Sequence, residues 1–162
     1  MKRTAKTLLA GTLAVVAIAG FLFAGKVRAT ASQRKLSNIV SQITSITVYD
    51  INGVPWPDTN ALAASASASF PVDVFSRAAS GATREGGLTI WKGSSVAVIT
   101  LQDGTRHYAR FSYYGGFFDV KGLSGRFVAS SEFEQTFKRL IQEQFFPQRL
   151  ERTKTITANH SL

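Results

Sequence analysis

The stretch that decides the fold is "SSVAVITLQDGTRHYARFSYYGGFFDVKG", residues 94–122. Asp103-Gly104, a dipeptide typical of tight hairpin turns, separates two arms in which apolar and polar residues alternate. In the second arm one face carries His107, Ala109, Phe111 and Tyr113, and the other carries Arg106, Tyr108, Arg110 and Ser112. Because side chains along a strand alternate between faces, this period of two predicts a β-hairpin with one buried face.

Two consecutive glycines, Gly115 and Gly116, interrupt the aromatic end of this stretch. A glycine pair inside a strand pattern is typical of a bulge, a bend or a tight turn. Three interpretations stay open: bent core strands, an exposed aromatic shelf that binds a peptide or glycan, or an interface with another molecule. Under the second interpretation, the predicted binding residues are Tyr113, Tyr114, Phe117 and Phe118.

Outward from this stretch, the patterns predict an α+β domain with an antiparallel sheet of about four to five strands. A C-terminal amphipathic helix over 132–146 is expected to pack on the sheet and to end at Pro147. Ser131 and Glu134 have the spacing of a capping box. The apolar stripe of this helix comprises Phe133, Phe137, Leu140, Ile141 and Phe145. Residues 32–46 also have helical spacing, with Ser32 as the N-cap.

The N-terminal segment 7–25 contains no charged residue and is bracketed by Lys6 and Lys26. As a helix it would extend about 28 Å, close to the hydrocarbon thickness of a bilayer, so it predicts a single transmembrane helix. One alternative is a cleaved secretory signal, since the sequence "ATA" at 29–31 fits a cleavage site near Ala31. The other is a buried helix of a soluble protein, in which five turns without a charge are unusual. Gly20 and Ala24 have a spacing that permits close helix contact, which allows a homodimer.

These patterns divide the chain into four parts. Residues 1–28 are expected to be a membrane anchor or uncleaved signal, 29–46 a juxtamembrane helix, 47–150 the α+β domain, and 151–162 a flexible tail. The short basic tail before the apolar run resembles an export signal, which places the bulk of the chain outside the cytoplasm as a single-pass protein of the cell membrane.

The net charge of +9 is not evidence for nucleic-acid binding. Five of the nineteen Lys and Arg residues flank the apolar segment, and the rest of the chain has fourteen against ten Asp and Glu. These remaining charges alternate in sign, whereas a phosphate-binding surface concentrates cations on one face. The sequence therefore predicts no nucleic-acid partner.

Few residues are suited to catalysis. The chain has no cysteine and only two histidines, so thiolate chemistry is excluded, and we expect neither a metal site nor a cofactor. His107 is the one catalytic candidate, and it could form a hydrolase triad with Ser112 and Asp119. The primary hypothesis is a membrane-tethered, extracytoplasmic, non-enzymatic binding or scaffolding module with a protein partner. The alternatives are an envelope hydrolase and a secreted soluble protein released near Ala31.

Overall fold

The structure is a computed structural model that describes residues 27, 30–53, 55–85, 93–113 and 116–151. Residues 30–40 form helix α1. The elements that follow are β1 (Ile43–Asn52), α2 (Thr59–Ala63), β2 (Ser67–Ser69), α3 (Val72–Ser80), β3 (Thr83–Glu85), β4 (Ser94–Leu101), β5 (Arg106–Ser112), β6 (Phe117–Val120), β7 (Arg126–Val128) and α4 (Ser131–Leu140). A π-helical turn (Ile141–Phe145) then leads into α5, residues 146–151.

Within the described residues, seven strands form one sheet in the order β2-β1-β4-β5-β6-β7-β3, and every pairing is antiparallel. The predicted hairpin is present as β4 and β5. Its turn is closed by the Thr105 amide, which donates to Asp103 Oδ1 at 2.8 Å, while Gly104 takes a φ of 81°. The predicted α+β class is confirmed, with helices segregated from an antiparallel sheet.

The two faces of the sheet are packed differently. The core face carries Ala109 and Phe111 of β5 and lies against α1, α3 and α4. The outer face carries Tyr108 and Arg110 of the same strand. On the outer face, a much smaller apolar cluster forms where Leu62 of α2 meets β4.

Phenylalanine dominates the core. Eight phenylalanines among the described residues are fully buried: Phe70, Phe75, Phe111, Phe118, Phe127, Phe133, Phe137 and Phe145. The Phe111 ring lies 5.0 Å from Phe133 and 5.5 Å from Phe137, both edge to face. This geometry adds to the burial energy of each ring because the positive edge of one ring meets the negative face of another.

Strands β5 and β6 pair antiparallel, so the chain reverses direction between Ser112 and Phe117, and Gly115 of the glycine pair lies outside the described residues. Phe118 is buried in the core, whereas Phe117 is half-buried on the outer face. A side-chain carbon at Gly116 would come within 3.2 Å of the Ala129 carbonyl oxygen, and the Ala129 amide donates to the Gly116 carbonyl oxygen. Glycine at position 116 thus permits the close approach of the segment that leads into α4.

The C-terminal helix differs from its prediction at both ends. Its N-cap is Ser130 rather than Ser131, with the Phe133 amide donating to Ser130 Oγ at 3.3 Å. Helical structure continues past Pro147 to residue 151. Proline cannot donate a backbone hydrogen bond and its ring clashes with the preceding turn, and the wider π-helical turn just before it accommodates both defects.

The predicted fold, a single transmembrane helix followed by four to five strands, is wrong. The described residues form a seven-stranded sheet, and none of the helices among them is long and apolar enough to cross a bilayer. The segment 7–25 and the Gly20–Ala24 spacing lie outside the described residues. Strands β2 and β3 were not predicted. Each has only three residues, which is too short for an alternating pattern to be detected.

The predicted helix over 32–46 is also corrected. Helix α1 ends at residue 40, and Ile43 and Ile46 belong to β1, where they pair with Leu101 and Ile99 of β4. Pairing with β4 outweighs the local helical spacing of these residues. Ser32 is no N-cap: it lies buried inside α1, and its Oγ accepts a hydrogen bond from the Ser124 amide at 3.2 Å.

Candidate functional site

The outer face of the sheet carries an unusual set of charged and aromatic side chains. Strand β5 contributes Tyr108 and Arg110, β6 contributes Asp119, and Lys121 follows directly after β6. The segment between β1 and α2 places Trp56 above them. Helices α1, α3 and α4 pack on the opposite face, so these side chains are not covered by the main helical layer.

Cations stack on aromatic rings here in what we call the cation–aromatic cluster: Trp56, Tyr108, Arg110 and Lys121. The guanidinium carbon of Arg110 lies 4.4 Å from the Trp56 ring centroid. The Lys121 ammonium lies 5.8 Å from the Trp56 centroid and 5.7 Å from that of Tyr108. All three distances are within the range of about 6 Å in which the ring quadrupole attracts a cation.

Arg110 is held in place from two sides. Its Nε donates to both carboxylate oxygens of Asp119, at 2.9 and 3.1 Å, and Nη2 donates to the same group. The two side chains are only 15% and 13% exposed, so water screens the pair weakly. Gly53 leaves room for the stem of Arg110, because a side-chain carbon there would lie 2.8 Å from its Cγ and Cδ. The guanidinium is therefore fixed under Trp56.

A second stacked pair extends the outer face toward the sheet edge. Arg126 of β7 places its guanidinium carbon 4.3 Å from the Phe117 ring centroid. Its Nε and Nη2 donate to Glu85 of β3 at 2.9 and 2.5 Å. These side chains are more exposed than Arg110 and Asp119, so the pair contributes less to stability.

Positive charge prevails on this face. It carries Arg106, Arg110, Lys121 and Arg126 against Glu85, Asp119 and the α2 N-cap Asp58, an excess of one cation among the described outer-face residues. Such a balance favours a ligand or partner surface that is acidic.

The predicted binding residue Tyr113 lies on the core-face side of the sheet, where it takes part in a network of structural contacts. Its ring stacks on Phe137 at 6.1 Å, and its hydroxyl accepts hydrogen bonds from Ser95 Oγ at 3.1 Å and from Arg149 at 3.4 Å. Arg149 also donates to Asp50, a carboxylate that is only 6% exposed. Hydrogen bonding to Asp50 raises the pKa of the Arg149 guanidinium. This network ties α5 to β1.

The other predicted aromatic residues do not form one surface. Phe118 is fully buried in the core, so it cannot touch a ligand on the folded domain, and Phe117 lies on the outer face. Tyr114 lies outside the described residues. A role in binding stays a prediction for Tyr113, Tyr114 and Phe117, and Phe117 lies on the same face as the cation–aromatic cluster.

The three residues of the predicted hydrolase triad are not brought together. His107 lies opposite Ile99 on the core-face side of β5, whereas Ser112 and Asp119 point to the outer face. Ser112 also lies five positions after His107 along the strand, a span of about 16 Å. Asp119 is engaged by Arg110. Across the described ranges, no three metal-ligating side chains cluster in a way that could hold an ion.

Comparisons with known proteins found no match: no family model fits the chain, and no curated protein or solved structure is similar to it. The support for a function therefore comes from the site alone. Sequence reasoning missed Trp56, Arg110 and Lys121 as site residues. The signal was present in part, because the predicted alternation already placed Tyr108 and Arg110 on the polar face of one strand.

Proposed function

We propose that this domain is a non-enzymatic module that binds a partner protein through the outer face of its sheet. The observation that carries the proposal is the cation–aromatic cluster, held in fixed geometry on the face that the main helices leave uncovered. Tryptophan, tyrosine and arginine are enriched among the residues that dominate the binding energy of protein interfaces.

Preorganisation and charge support the same proposal. Arg110 is oriented by Asp119 and Trp56, so it loses little side-chain freedom when a partner binds. The excess of cations favours an acidic surface on the partner, and such complementarity accelerates association and suppresses wrong partners.

The test uses the full-length chain as bait in nuclease-treated extracts, so that nucleic acid cannot bridge bait and prey. A Lys121→Glu, Trp56→Ala double variant should reduce capture of the partner at least tenfold, which corresponds to about 1.4 kcal/mol. Capture by the unaltered chain should weaken as salt is raised from about 0.05 to 0.5 M.

The matched control is Arg34→Glu on α1, an exposed residue on the other side of the domain. It makes a charge reversal like that at Lys121 and should leave capture unchanged. If the control and the outer-face variant lose the same partner equally, the outer face is not the interface. If a purified chain hydrolyses an ester or peptide and this activity needs His107, the non-enzymatic proposal is wrong.

We also propose that the domain works outside the cytoplasm. The support is the short basic tail before the uncharged segment 7–25, a layout typical of export signals. Mass spectrometry of the mature chain from intact cells tests cleavage near Ala31, and protease added to those cells tests exposure of the domain. A domain that is degraded only after lysis would contradict the proposal.

A further inference from the structure

A groove of about 240 Å³ lies on the outer face between α2 and the sheet. Val98 of β4 and Leu62 of α2 form its apolar walls. Tyr108 is shared with the cation–aromatic cluster and marks the boundary between that cluster and the groove. The volume is below the usual range of drug-sized ligand sites, about 300–1,000 Å³, so the groove suits a molecule the size of a single sugar ring.

The polar lining of this groove has no internal partners. Five of the residues that line it carry a hydroxyl group: Thr47, Tyr49, Thr59, Thr100 and Tyr108. Within the described part of the chain, none of these hydroxyls donates or accepts a hydrogen bond. Four of the five residues are half-buried. Each hydroxyl can donate one hydrogen bond and accept two, so it can act as donor or as acceptor toward the hydroxyl groups of a sugar.

The two tyrosine rings add an apolar surface to the same groove. Tyr49 and Tyr108 lie on β1 and β5, on either side of β4. An aromatic ring with a polar tip offers its face to the C–H groups of a pyranose while its hydroxyl binds at the ring's edge. The groove therefore combines the two kinds of contact that a sugar requires.

Arg106 supplies a charge at one end. It pairs across β4 and β5 with Thr100, and it has no ion-pair partner among the described residues. No acidic side chain lines the groove. A guanidinium presents a planar fork of donors that fits a carboxylate through two parallel hydrogen bonds. The ligand is therefore expected to be negatively charged where it meets Arg106.

We propose that this groove binds one carboxylate-bearing sugar residue of the hexuronate type. Arg106 binds the carboxylate, the hydroxyls of the groove bind the ring hydroxyl groups, and Tyr49 and Tyr108 contact the ring. The proposal adds a small ligand to the protein partner proposed above. The two sites share Tyr108, but the sugar site depends on Arg106 and the groove hydroxyls, whereas the protein-binding site depends on Trp56 and Lys121, so separate variants test them.

The test is a titration of the ¹⁵N-labelled full-length chain with D-glucuronate, followed by NMR. We expect saturable shifts of the amides around Arg106 and Tyr108, with a Kd on the order of 1 mM, because one sugar ring offers few atoms for contact. D-glucose should bind at least tenfold more weakly, and acetate should leave these amides unshifted. Equal binding of D-glucose 6-phosphate would overturn the assignment of a carboxylate.

Two variants test the residues. Arg106→Gln should weaken glucuronate binding at least tenfold, and Tyr108→Phe, which keeps the ring and removes the hydroxyl, should weaken it about threefold to tenfold. Arg34→Gln on α1 is the matched control and should bind as the unaltered chain does. Arg106 is exposed, so its variant should keep a native spectrum. Unchanged binding by Arg106→Gln, or no groove shifts at about 50 mM glucuronate, would overturn the proposal.

Discussion

The two faces of this sheet are built from the same strands but from different chemistry. On the core face, fully buried phenylalanines pack against three helices. On the outer face, cations lie on aromatic rings beside a groove lined with hydroxyl groups. A strand exposes its two sides to different surroundings, so a single sequence can specify packing on one side and recognition on the other.

The difference between the two faces is clearest in strand β5, where adjacent residues have different surroundings. Phe111 has no exposed surface, whereas Arg110 keeps some of its surface in water and forms an ion pair instead of an apolar contact. Loss of an aromatic ring should therefore cost more stability on the core face than on the outer face, whereas binding should depend on the outer face.

Truncating Phe111 should have the largest effect. Its ring contacts Phe70, Phe75, Phe133 and Phe137, so Phe111→Ala leaves a cavity at the centre of the core. We expect the free energy of unfolding to fall by about 3–5 kcal/mol. Urea denaturation followed by circular dichroism measures the change.

Phe117→Ala is the matched control, since it removes the same ring from the outer face. That ring is half-buried and stacks on Arg126, so the loss should stay below about 1.5 kcal/mol. Equal losses for Phe111→Ala and Phe117→Ala would show that the two faces contribute alike to stability, and the division proposed above would fail.

Part of this two-faced design could be read from the sequence. The alternation from Arg106 to Tyr113 placed Phe111 and Arg110 on opposite sides, and the Asp103-Gly104 turn fixed the hairpin. Both signals are local: a period of two and a dipeptide suited to a tight turn. The same locality explains the helical stripe of α4, of which Phe133 and Phe137 are buried.

The rest depends on contacts between distant residues. Trp56 meets Arg110 across 54 positions of sequence, and nothing near either residue indicates the contact. Strands β2 (SAS) and β3 (TRE) have little strand propensity of their own and exist because β1 and β7 offer them partners. The hydroxyls of the groove are likewise spread over β1, α2, β4 and β5, so only the fold brings them together.

The ion pair on the outer face should be the next most sensitive feature. Asp119→Leu leaves the poorly exposed Arg110 without its carboxylate, and we expect a loss of about 2–3 kcal/mol, between the values for surface and fully buried pairs. Arg110→Met should cost a similar amount, and both variants are measured by urea denaturation.

The double variant decides what kind of interaction this is. Each single change is expected to lower the free energy of unfolding because it leaves a buried charge without its partner. In that case the double variant Arg110→Met, Asp119→Leu should lose clearly less stability than the sum of the two single losses. Purely additive losses would mean that the two side chains act independently. The outer face would then owe its stability to packing, as the core face does.

The smallest effect concerns charges on the solvent side of α4. Glu134 accepts a hydrogen bond from Lys138 at 2.6 Å, which lowers the pKa of its carboxyl, and the Gly116 amide lowers it further. A lowered folded-state pKa stabilises the fold above the ordinary glutamate value of about 4.3, and this contribution disappears as the pH falls through the lowered pKa. Glu134→Gln should therefore cost about 0.5 kcal/mol at pH 7 and nothing near pH 2.

Lys138→Gln is the matched control variant, because it removes the cation of the pair and leaves the Glu134 carboxylate. Urea denaturation of both variants at pH 7 and near pH 2 separates the interactions of the Glu134 carboxylate from packing, because only its interactions with Lys138 and with the Gly116 amide depend on pH. The ion pair between Arg110 and Asp119 would then contribute several times more to the free energy of unfolding than the pair between Lys138 and Glu134. Water screens the exposed helix pair, whereas the sheet pair is largely shielded from water. A pH-independent loss in Glu134→Gln would instead assign this position to packing against the segment around Gly116.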